Sequence, residues 1–179
     1  MTETTWNEAR AVLQAEGEAI LSVAAGDGLA GPFAQAVELI LGCAGHVVVT
    51  GVGKAGIIGE KISATMASPG TSSIVLHPVE ALHGDLGRVS RGDVVIAISN
   101  SGSSEEILRL LDHLKRIGAK VIALTGDADS PLGRHADITL AYGKFEEACP
   151  LGAAPSVSTT VLLAVGDALA LTVMRQRKF

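Results

Sequence analysis

Four segments of this chain carry side chains able to hold an anion or move a proton, and each follows a short apolar run. In "VVIAISNSGSSEEI", residues 94–107, Ser99, Asn100, Ser101, Gly102, Ser103 and Ser104 stand before a helical pattern with Ile107, Leu110, Leu111, Leu114 and Ile117 on its inward stripe. Open amides at a helix start, aided by the helix dipole and nearby hydroxyls, form an anion site that suits a phosphate. The same letters admit a second use. Ser103 followed three residues later by Glu106 fits a capping box, in which the glutamate returns to the cap's amide. Capping accounts for Ser103, Glu105 and Glu106, but leaves the hydroxyls of Ser99 and Ser101 without a purpose.

"GVGKAGIIG", residues 51–59, contains GxGxxG, which a dinucleotide site would use. That site also needs an acid about 20 positions on, at the end of the second strand, and here the run ends in Leu76, His77 and Pro78. A Walker A loop is excluded because Ile57 follows Gly56. What remains is a glycine-rich turn presenting Lys54, whose ammonium can meet a phosphate or a carbonyl oxygen. In "HPVEALHGDLG", His77, Glu80, His83 and Asp85 could line a polar pocket or bind a metal; their spacing specifies no metal geometry, which favours the pocket. "GKFEEACPLGAAPSVSTT" offers Glu146 and Glu147. A carboxylate beside apolar neighbours gains proton affinity and can serve as a general base. Cys149 is read as a small packing residue, and His46, His113 and His135 as structural or solvated.

These groups need a scaffold, and the composition indicates which. Of 179 residues 47 % are hydrophobic but only 3 % aromatic, with 21 glycines, so the core is aliphatic and the turns glycine-rich, as in an α/β domain. Runs at 46–50, 72–76, 94–98, 120–124 and 138–141 alternate with helical patterns at 55–67, 104–117 and near 130–135, a long turn separating the second and third runs. Such alternation predicts a three-layer αβα sandwich around a five-stranded parallel sheet. Ligands then bind outside the carboxyl ends of the strands, where strand order reverses, which directs attention to the turns after the first and third strands. Residues 1–44 form leading helices, one over 7–23, that pack on the core or an oligomer interface; residues 45–179 form the domain proper, in one structural unit.

A net charge of −5 provides no basic field for nucleic acid or anionic lipid. Two cysteines without CxxC spacing indicate neither a disulfide framework nor structural zinc, and point to a reducing, cytoplasmic setting. The N-terminus carries acids where a signal peptide would be basic. Residues 157–174 approach membrane length, but Gly166, Asp167 and several threonines mark a helix buried in protein.

Taken together, "GVGKAGIIGEKISATMASPGT", "HPVEALHGDLG", "VVIAISNSGSSEEI" and "KFEEACPLGAAPSVSTT" closely resemble the sugar isomerase (SIS) domain of D-arabinose 5-phosphate isomerases. The resemblance implies interconversion of D-ribulose 5-phosphate and D-arabinose 5-phosphate, on the route to the lipopolysaccharide sugar Kdo, with no required cofactor. It implies catalytic roles for Lys54, Glu106 and Glu147, with Glu147 the first choice as base and Glu106 orienting or shuttling a proton. Phosphate binding falls on Ser99, Asn100, Ser101, Gly102 and Ser104. Gly53, Gly70, Thr71, His77 and His83 complete the substrate contacts, and His77 is a place for an inhibitory zinc. Family members are tetramers. The family's paired CBS domains are absent, and the chain stops at "RQRKF", before an "HPGG" segment whose histidine completes the family's site. A sugar-phosphate-binding domain with weak turnover is therefore the alternative expectation.

Overall fold

Valine, isoleucine and leucine fill five runs too short for helices, and the computed structural model, which describes residues 2–178, joins them in one parallel sheet. Its strands are β1 (Val47–Gly51), β2 (Ser73–Val75), β3 (Val94–Ile98), β4 (Lys120–Thr125) and β5 (Ile138–Ala141), in the spatial order β2-β1-β3-β4-β5. Val47 lies opposite Val94 and Gly51 opposite Ile98, so β1 and β3 end side by side. The chain moves outward from β1 to β2, then returns past β1 to β3 and continues to the far edge. Strand order therefore reverses at the β1/β3 pair.

Alternate residues of a strand face opposite sides of the sheet, and both sides here are apolar. Val47, Val49, Val94, Ile96, Ile98, Ile122, Leu124 and Leu140 belong to one core, which α1 (Thr2–Ala25), α2 (Ala30–Leu41), α3 (Gly53–Ala67) and α7 (Val157–Arg177) close. Val48, Val95, Ala97, Val121 and Ala123 belong to the other, under α4 (Pro78–Leu82), α5 (Glu105–Ile117) and α6 (Pro131–His135). The result is a three-layer α/β sandwich. Ile107, Leu110, Leu111 and Leu114 anchor α5, each burial contributing about 1.5–3 kcal/mol. Gly118 ends that helix in the left-handed region (φ 85°), its N–H donating to the carbonyls of Leu114 and Lys115.

Two elements differ from expectation. The leading helix runs beyond 7–23 at both ends, and the long turn after β2 contains α4 and a 3-10 turn, Asp85–Arg88. Pro78 at the first turn of α4 explains the second of these: its fixed φ suits a helix start, and its absent N–H is not needed there. Helix α7 is long and apolar enough to cross a membrane, but half of that stretch is buried within the protein, where α7 packs on α1, α2 and α3.

Candidate functional site

At the carboxyl end of β1 the chain enters α3 almost without a loop. Val52 is extended, Gly53 takes φ 57°, and Gly56 presses on the end of the strand. A Cβ on Gly56 would lie 2.8 Å from the Gly51 carbonyl oxygen, so the helix can start this close only with glycine there. Lys54 is thereby presented, exposed, from the first turn of α3. Among the described residues no carboxylate forms an ion pair with its ammonium.

The matching turn after β3 does not form the capping box. Ser104, not Ser103, is the residue before α5, and no side chain caps that helix. Ser104 Oγ instead pairs with the buried Ser99 Oγ at 2.9 Å, while Ser103 turns its hydroxyl to the Ser101 carbonyl at 3.1 Å. A helix leaves its first amides without intrahelical partners, and here side-chain capping does not consume them. The turn is a ready anion cradle beside Lys54. Gly102 makes the bend at φ 65°, with a Cβ there only 2.0 Å from Ser130 Oγ. Gly102→Ala should therefore lower stability by about 1–3 kcal/mol, read from the denaturant midpoint; an unchanged midpoint would show that the turn has room to relax.

The carboxyl-end turns of β3, β4 and β5 are tied together. The Asn100 carbonyl accepts the Gly126 N–H at 2.9 Å and the Thr125 hydroxyl at 3.3 Å, and the Leu132 N–H donates to the Gly102 carbonyl at 3.0 Å. Tyr142, just after β5 and 4 % exposed, donates its phenol O–H to Asn100 Oδ1 at 3.1 Å. Burial, and then the negative charge of Glu147, push the phenol's pKa upward, so it keeps its proton.

Glu147 sits on the loop between β5 and α7 and behaves unlike the expected base. Its Oε2 accepts the N–H of Ser156 at 2.7 Å and of Ser158 at 3.4 Å, and Oε1 accepts the Ser158 hydroxyl. Partial burial pushes its proton affinity upward, but these donors outweigh it and hold the carboxyl below the usual range. The expected rise in proton affinity is thus reversed, because the start of α7 solvates the charge. Cys149, read as a packing residue, is only partly buried in the same loop, and amides of Ala154, Leu151 and Ala153 draw its thiol below the ordinary value.

These turns enclose a cavity of about 340 Å³. Lys54, Ser99, Asn100, Ser101 and Ser104 line it with Tyr142, and Ser158 and Thr159 come from the start of α7. Glu147 is one hydrogen bond away, through Ser158. Other expected residues do not join them. His77, at the start of α4, and Gly53 line a separate hollow of about 220 Å³ with Glu60. His83, at the end of α4, and the partly buried Glu106, on the first turn of α5, are absent from both linings. Gly70 and Thr71 precede β2 and lie at the amino edge of the sheet, opposite the cavity, because α3 carries the chain back across the sheet before β2 begins. Among the described residues no three His, Cys, Asp or Glu side chains gather as a metal site, so His77 has no ligand cage around it. Tyr142, Ser158 and Thr159 were not expected in the site. Their signal is positional, since each lies in the segment that leaves the carboxyl end of β5.

A doubly wound parallel sheet with a donor-lined pocket at its switch point defines the class: an α/β domain with a polar pocket beyond the carboxyl ends of its strands. The chain belongs to the SIS domain family, whose sequence profile matches residues 40–172. It is 50 % identical over 147 residues to the arabinose 5-phosphate isomerase KdsD of Pseudomonas aeruginosa, covering 82 % of this chain and 45 % of that protein. It is 47 % identical over 149 residues to the arabinose 5-phosphate isomerase KpsF of Escherichia coli, covering 83 % of this chain and 47 % of that one. The chain thus spans slightly under half the length of these curated relatives. The c3406 protein of E. coli CFT073, solved in complex with arabinose 5-phosphate, has the same fold at a TM-score of 0.96 and 41 % identity, covering all of this chain and 94 % of that one.

Proposed function

We propose that this chain is an aldose-ketose isomerase that interconverts D-ribulose 5-phosphate and D-arabinose 5-phosphate, and that its product feeds Kdo and lipopolysaccharide synthesis. One observation carries the reading: Lys54, which pairs with no described carboxylate, and the uncapped turn before α5 line the same cavity. The names of the relatives and the ligand of the c3406 structure support the same substrate. Moving a carbonyl between the first and second carbons requires a base to lift a carbon-bound proton and a donor to stabilise the enediolate oxygen. Ser99, Ser101, Ser104 and the open amides take the phosphate. Lys54 serves the developing oxyanion. Glu147, ionised, is the base, and Glu106 assists proton transfer. His77 and His83, outside the cavity lining in the single chain, reach the sugar only in the assembled enzyme, which works as a cytoplasmic tetramer.

Incubating the protein with ribulose 5-phosphate in heavy water should yield arabinose 5-phosphate carrying deuterium at the second carbon. Binding without exchange would remove the isomerase reading and leave a sugar-phosphate-binding domain. Because charge-assisted hydrogen bonds are worth about 1.5–3 kcal/mol each, non-phosphorylated arabinose should bind at least about 100-fold more weakly. Equal affinity would refute the anion role of the turn.

A further inference from the structure

We propose that Tyr142 is a positioning residue that makes Asn100 a dedicated donor to the phosphate; this rests on reading the cavity as a sugar-phosphate site. An asparagine amide offers an acceptor at one end and two donors at the other, and can rotate to present either. In a pocket meant for an anion the wrong rotation is costly, because it sets a carbonyl oxygen against the ligand's negative oxygens. Asn100 sits in the anion turn with its backbone carbonyl already holding the Gly126 N–H and the Thr125 hydroxyl, so its main chain is fixed. Only the side-chain rotation is left to set.

The phenol of Tyr142 sets it. The O–H is deeply buried and donates to Asn100 Oδ1 at 3.1 Å. Reversing the amide would leave this buried O–H facing a donor instead of an acceptor, a costly arrangement. The phenol also stays protonated, since burial and the Glu147 charge both oppose its ionisation. It therefore remains a donor whenever the enzyme is folded. With Oδ1 occupied, Nδ2 is the end left for the cavity that both residues line. Tyr142 is the chain's one tyrosine, and it stands where the segment leaving β5 meets the turn leaving β3. Phenylalanine there would fill the same space without choosing the rotation.

The test is a double-mutant cycle by calorimetry with arabinose 5-phosphate on the full chain. Tyr142→Phe should weaken binding about tenfold, the value of one hydrogen bond, and in turnover assays the change should fall on KM rather than kcat. Asn100→Ala should weaken binding at least as much, and the double variant should bind no more weakly than Asn100→Ala alone. Tyr142→Phe binding as tightly as the parent, or weakening binding equally with and without Asn100, would overturn the proposal while leaving the pocket intact. No binding by the parent protein would overturn the sugar-phosphate reading itself, and this proposal with it. Asn100→Asp gives an arm that does not depend on the folding of Tyr142→Phe. It keeps an acceptor for the phenol but turns a carboxylate oxygen into the cavity, so binding should fall below detection at neutral pH. Affinity within about twofold of the parent would overturn the assignment.

Discussion

Lys54→Ala is expected to lower turnover of ribulose 5-phosphate by about 100- to 1000-fold while leaving the protein as stable as before or slightly more so. The loss follows from removing one preorganised cationic donor at the developing enediolate, which is worth about that much where such donors have been deleted. The gain in stability follows from where the lysine stands. It sits in the first turn of α3, at the positive end of the helix dipole, and forms no ion pair with a described carboxylate. A cation there costs about 0.3–1 kcal/mol, and alanine is the better helix former. The melting midpoint should therefore hold or rise by about 1–4 °C. A lysine that the fold would be better without suits the chemical role proposed for it. A drop in midpoint together with lost activity would instead show that Lys54 supports the turn. Unchanged kinetics would return it to the surface.

Glu147→Gln is expected to reduce turnover by about 100- to 10,000-fold, the usual range for loss of a general base, and to cost stability as well. The carboxylate gathers the N–H groups of Ser156 and Ser158 and the Ser158 hydroxyl at the entrance to α7. A glutamine would set an NH2 against one of those donors, at a cost of about 1 kcal/mol for a partly exposed cap. The pH dependence follows from its lowered proton affinity. A carboxyl whose folded-state pKa lies below its unfolded one contributes stability that is complete above the unfolded value and is lost as pH falls through the folded one. The stability gap between parent and Glu147→Gln should thus be constant at neutral pH and close only in the acid range. If Glu147 is the base, the acid limb of kcat/KM should also lie below the ordinary glutamate range. An acid limb near neutrality would assign proton abstraction to another group, with Glu106 the next to replace.

The strands are legible in the sequence because both faces of a covered parallel sheet are apolar, leaving runs such as "VVIAI" and "HVVVT" with no competing pattern. Lys54 and the 99–104 turn are legible for a related reason: ligands in such sheets sit beyond the carboxyl ends, and these residues follow β1 and β3. What escapes is set by partners distant in sequence. Ser104 turns from the cap of α5 to Ser99, which a local capping rule does not weigh. Glu147 looks like a carboxylate among apolar neighbours, but its donors are nine and eleven residues away and reach it only once α7 is placed. The misplacement of Gly70 and Thr71 is of another kind. Any turn that leads into a strand of a parallel sheet lies at the amino edge, so topology alone separates them from the cavity. Tyr142 follows the same rule in the opposite sense, since it leaves β5 at the edge where ligands bind.

The cavity draws on Val52 and Lys54 at one extreme of the chain and on Thr159 and Leu162 at the other. Its two walls meet where α7 packs on α3. No contiguous fragment shorter than residues 52–162 contains the lining. Ligand affinity is thus a reporter of completed folding: a destabilised variant that keeps its sheet but loosens α7 should retain its far-ultraviolet signature and lose sugar-phosphate binding, and added ligand should restore that helix before it raises the stability of anything else.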